Sequence, residues 1–86
     1  MNRDDVYELI DGERDYQDSL PSTRTDGREH TVGEYMIMLQ YYMNKAVEVW
    51  TMTLSDVEAL NNIRKIAGIC VHCMEDYDAP ARVRNA

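Results

Sequence analysis

Phenylalanine is absent from this chain, and cysteine, proline and glycine are scarce: two, two and four residues among 86. Two cysteines, Cys70 and Cys73, cannot build a disulfide framework, and nothing resembles a secretion signal. No apolar run approaches a membrane span, since Met36 to Leu39 is soon followed by Gln40, Asn44 and Lys45. Basic residues are few as well. Nine lysines and arginines face sixteen acids, and the net charge of −7 argues against general nucleic-acid binding, which needs a cationic surplus. These absences lead us to expect a cytoplasmic protein without membrane contact.

What is present is helical. Thr31-Val-Gly-Glu34 and Ser55-Asp-Val-Glu58 both read as capping boxes. In each, a hydroxyl takes up a free N–H of the first turn while the glutamate reaches back. Only Met52, Thr53 and Leu54 remain between the two helices, which predicts an antiparallel hairpin over 31–77. A shorter helix is expected near 4–19, with Val6, Leu9, Ile10 and Tyr16 at helical spacing. Gly12 weakens its middle and Leu20-Pro21 ends it. A polar loop fills 20–30, and 78–86 reads as a loose tail. The expected fold is therefore all-α: a short N-terminal helix and a long helical hairpin within one domain, 1–86.

The hairpin carries more apolar surface than a single chain can cover. On the second helix Val32, Tyr35, Met36, Leu39, Met43, Ala46 and Trp50 form the main stripe, with Met38, Tyr41, Tyr42 and Val49 beside it. The third helix has Leu60, Ile63, Ala67, Cys70 and Met74 at steps of three and four, widened by Ile66, Ile69 and Cys73. Gly68 next to Ala67 admits a close neighbour. A chain this short buries only about 60% of the surface exposed when unfolded. Self-association into a helical-bundle oligomer is therefore expected, most simply a dimer of two hairpins. Tyr41, Tyr42, Val49, Ile66, Ile69 and Cys73 are the residues expected between subunits. Six tyrosines and one tryptophan suit surfaces half buried and half wet.

The loop before the second helix is the candidate ligand site. Arg24, Arg28 and His30 precede the helix start at Thr31, where free N–H groups and the helix dipole favour an anion such as phosphate. Arginine adds a two-pronged donor for phosphate oxygens and a planar face for a base. Arg14 and Tyr16 on the first helix and Tyr35 on the second are further candidates, with Arg64 and Lys65 on the third. Against the loop site stands an ion-pair reading, in which Asp26, Glu29, Glu75, Asp76 and Asp78 absorb Arg24, Arg28 and His30 in surface pairs. Cys70-Val-His72-Cys73 has C-x-x-C spacing, but it falls late in a helix and lacks a tetrahedral ligand set, so it reads as structural. No cofactor or metal is implied.

The acidic residues resemble in helix class, but not in motif, the MazG-type nucleoside triphosphate pyrophosphohydrolases. That resemblance implies four carboxylates holding magnesium. Glu8-Leu-Ile-Asp11 gives the E-x-x-D spacing, whereas E-E-x-x-E is missing. Several stretches resemble small bacteriophage-encoded accessory proteins: Ile10-Asp-Gly-Glu-Arg-Asp-Tyr-Gln17, His30-Thr-Val-Gly-Glu-Tyr35, Ile63-Arg-Lys-Ile-Ala67, Cys73-Met-Glu75 and Ala79-Pro80-Ala-Arg82. In size and class the chain is similar to phage sponges that withhold nucleotide signals of bacterial immunity from their effectors. That resemblance implies a non-catalytic binder of an anionic nucleotide. The alternative is an acidic module that inhibits a host protein, and the magnesium enzyme ranks third.

Overall fold

In the computed structural model, residues 1–21 and 30–83 are described, and among them every regular element is a helix. The order is α1 (Arg3–Ser19), α2 (Val32–Thr53) and α3 (Asp56–Tyr77). Asn2 starts α1 through a reciprocal box with Asp5, and α1 runs unbroken through Gly12 until Leu20 takes extended geometry before Pro21. The box at the head of α2 is complete. Thr31 Oγ1 accepts from the Glu34 N–H, and Glu34 Oε1 accepts from the Thr31 N–H.

The second expected box is only half formed. Ser55 Oγ caps the Glu58 N–H, but the Ser55 N–H goes to the Thr53 hydroxyl instead of back to Glu58. The reason is that α2 continues to Thr53, so the link shrinks to Leu54 and Ser55, with Leu54 in the left-handed region (φ 53°). The short link returns α3 along α2 in hairpin-like packing. At one end Trp50 Nε1 donates to Asp56, and at the other Tyr35 Oη donates to Asp76.

Only part of each apolar stripe enters the interior. Tyr35, Ala46 and Ile69 are the buried apolar residues among those described, with Leu39, Tyr42, Val49, Ile66 and Cys73 half-buried around them. This corrects the expected role of Ile69. Its burial is complete within one chain, so it is a core residue whether or not the chain self-associates.

Helix α1 lies against α3 and leaves a cleft toward α2. It does not present its apolar stripe, because Val6, Leu9 and Tyr16 remain exposed. The seam is polar. It forms over Gly68, where even a Cβ would lie 2.9 Å from Glu13 Cγ and 2.8 Å from Gln17 Nε2. Glycine at this point is what lets the two helices come together.

Candidate functional site

Arg14, a candidate ligand residue by sequence, proves to be a seam residue. Its side chain is buried, with Nε on Glu75 (3.1 Å), an Nη on Asp18 (2.9 Å) and the other on Gln17. Burial opposes its charge, but the hydrogen bonds to Glu75 and Asp18 outweigh that and hold its pKa above the ordinary arginine value. An anion would have to displace two carboxylates, so Arg14 builds the support instead of the site. Beside it, the buried Glu13 accepts from Arg64 Nε at 2.9 Å, and Gln17 donates to Glu13 and to the Lys65 carbonyl. Glu75 is thus paired, but with Arg14 of α1 and not with a cation of the loop before α2.

Three other candidates do converge. Tyr16 from α1, His30 and Tyr35 line one cleft with Gln17, Tyr42, Lys65 and His72. It lies between α1 and the hairpin and encloses about 200 Å³. Ligand pockets for whole drug-sized molecules run to roughly 300–1,000 Å³. This cleft therefore admits one ring-sized group, with anything larger left at its mouth.

Tyr35 is the floor. It is 1% exposed, its hydroxyl is held by Asp76 (2.5 Å), and His30, His72 and Tyr77 meet its ring edge-on. Such packing fixes both imidazoles. His30 is also anchored through its carbonyl, which accepts from Tyr77 Oη, and its ring stands 3.7 Å from Glu34. His72 Nε2 stands 3.6 Å from Asp76. The Lys65 ammonium lies 5.0 Å from the Tyr42 ring centroid, a cation–π distance. Tyr16, more than half exposed, forms the outer wall.

Thr31 is committed to the α2 cap, and Arg24 and Arg28 lie outside the described residues. Sequence reasoning overlooked His72 and Tyr42 as cleft residues. His72 stood out only as a companion to the cysteines, and Tyr42 only as part of a stripe. The available signal was their spacing with Lys65 and Ile69, which puts Lys65, Ile69 and His72 on one face of α3.

Cys70 and Cys73 are both free thiols, and burial, then the neighbouring Cys73, pushes the Cys70 thiol above its ordinary pKa. A protonated thiol is a poor nucleophile and a poor ligand. Comparison of the chain with family models, curated proteins and solved structures finds no match.

Proposed function

We propose that this chain is a non-catalytic binding protein that takes up a phosphate-containing nucleotide, with the base in the Tyr16–His30–Tyr42–Lys65–His72 cleft. The observation that carries the reading is convergence. Residues from all three helices, and His30 just ahead of α2, meet around a space that fits one aromatic ring. The chemistry suits a base: tyrosine rings offer stacking, imidazoles offer both donor and acceptor nitrogens, and Lys65 offers positive charge to a phosphate at the mouth. Arg28 is proposed from sequence alone as the forked phosphate contact, because it is the arginine nearest the Thr31 cap. In the viral setting that the sequence resemblance implies, such a protein would withhold a nucleotide signal from a host effector.

A thermal-shift screen against mono-, di- and cyclic nucleotides, with and without magnesium, tests this. A true ligand at 100 times its dissociation constant adds about 2.7 kcal/mol of stability. Lys65→Ala and Arg28→Ala should each weaken binding by about 1.5–3 kcal/mol, the scale of hydrogen bonds to charged groups. Arg28→Lys should recover only part of the loss, because it keeps the charge without the fork. Should no nucleotide stabilise the protein, the acidic protein-binding reading takes precedence. It is supported by exposed Asp4, Glu8, Asp11 and Asp15 along α1, and it predicts a salt-sensitive complex with a basic host protein.

A further inference from the structure

Opposite the cleft the hairpin leaves a second apolar face open. Met43, Val47 and Trp50 of α2 line a shared groove with Ala59, Leu60 and Ile63 of α3. Met36 continues the face along α2 and Met74 along α3, and all of these except Ala59 are exposed. The spacing is that of a packing seam. On α2 the residues fall at 36, 43, 47 and 50, and on α3 at 60, 63, 67, 70 and 74, the steps of three and four (or their sum) that lay one helix along another. The hairpin's own interior uses different positions, namely Tyr35, Leu39, Tyr42, Ala46 and Val49 with Ile66, Ile69 and Cys73. Each helix therefore carries two seams, and only one is filled.

We propose that this face is the contact between two copies of the chain, closing a four-helix core around a two-fold axis. Three observations select a second copy as the occupant. First, the face carries no charge except Asp56 at its rim, which is occupied by Trp50 Nε1. Two molecules of net charge −7 repel each other, and a face with a single rim charge is where they can meet. A basic partner would instead be drawn to the exposed acids of α1. Second, the seams on α2 and α3 span equal lengths, 36–50 and 60–74, so a two-fold axis between them sets one apolar seam against the other.

Third, the face is large enough. Its seven large apolar side chains are each about half exposed, so the open apolar area is of the order of several hundred Å², the scale of the about 800 Å² that each partner gives to a standard interface.

The inference moves the expected contact. Tyr41, expected between subunits, lies about 140° around α2 from Met36, on the far side from the open seam. The test is sedimentation equilibrium of the full chain at 5–100 µM, with Val47→Glu, Leu60→Glu and, as control, Tyr41→Glu. All three sites are exposed in the single chain. The wild type and Tyr41→Glu should sediment at twice the 10.0 kDa chain mass, and both face variants at the single-chain mass with helical circular dichroism retained. Trp50, the single tryptophan, supplies a readout that needs no variant. Its acrylamide quenching should increase several-fold on dilution as the face is uncovered. A wild type of single-chain mass throughout, face variants that stay dimeric, or quenching independent of concentration would each overturn the proposal.

Discussion

Gly12 shows how far one residue's local preference can be overridden. Its weak helix propensity weakens the middle of α1, yet the helix continues unbroken through it, because the Asn2–Asp5 box and the seam at Glu13 and Arg14 hold both sides. A Cβ there would meet nothing within 4 Å. Gly12→Ala should therefore stabilise the protein by about 0.5–1 kcal/mol, through better helix propensity and a less flexible unfolded chain. Thermal denaturation would register this as a rise of roughly 3–6 °C for a chain of this length. An unchanged or lower midpoint would show that the glycine has a use that its open surroundings hide. Tyr35 marks the opposite case. The sequence shows a tyrosine one turn into a helix, and nothing in it says that the ring would be sealed under two histidines.

Among the elements, α2 and α3 were legible because their signals are local: a cap, a regular stripe, and a link too short for anything but a reversal. The reading failed where the structure depends on distant residues. Thr53 takes the Ser55 N–H that Glu58 was expected to hold, a choice made by where α2 ends. The contact of α1 could not be read from apolar periodicity, because it runs through Glu13, Arg14 and Gln17 over Gly68.

That seam makes its own prediction. Glu13 is almost fully buried while Arg64 is partly exposed, so Arg64→Ala leaves a buried carboxylate with only the neutral Gln17 amide as its side-chain donor. The expected cost is about 1–3 kcal/mol, the penalty for a buried polar group that loses its charged partner. Glu13→Gln added to Arg64→Ala should recover part of it, because a neutral amide is easier to leave there. Urea denaturation of the two variants checks this. A double variant less stable than Arg64→Ala alone would mean that the carboxylate's bond to Gln17, and not its pairing with Arg64, is its main support.

At the scale of the molecule, α1 and α2 packed against α3 leave two distinct surfaces. One is the cleft between α1 and the hairpin, polar and aromatic; the other is the apolar seam, with Asp56 at its rim as its one charge in the groove. The sequence announced the surplus of apolar surface but misplaced it, because it could not show that α1 would settle at Gly68 and so decide which side of α3 becomes interior. It named Tyr16, His30 and Tyr35 beside the arginine loop, and these line the cleft; it could not show that Arg14 has carboxylate partners on two different helices. The two surfaces can be tested separately, since loss of the dimer leaves every cleft residue within one chain.

The cleft is tested most directly by nuclear magnetic resonance of the isotope-labelled protein during titration with the nucleotide giving the largest thermal shift, or with a panel of nucleotides if none does. Saturable shifts should appear at the ring protons of His30 and His72 and at the Lys65 side chain, with little change at Val47 and Leu60. Shifts that are absent, or that gather on the seam and spare the histidines, would contradict a nucleotide in this cleft.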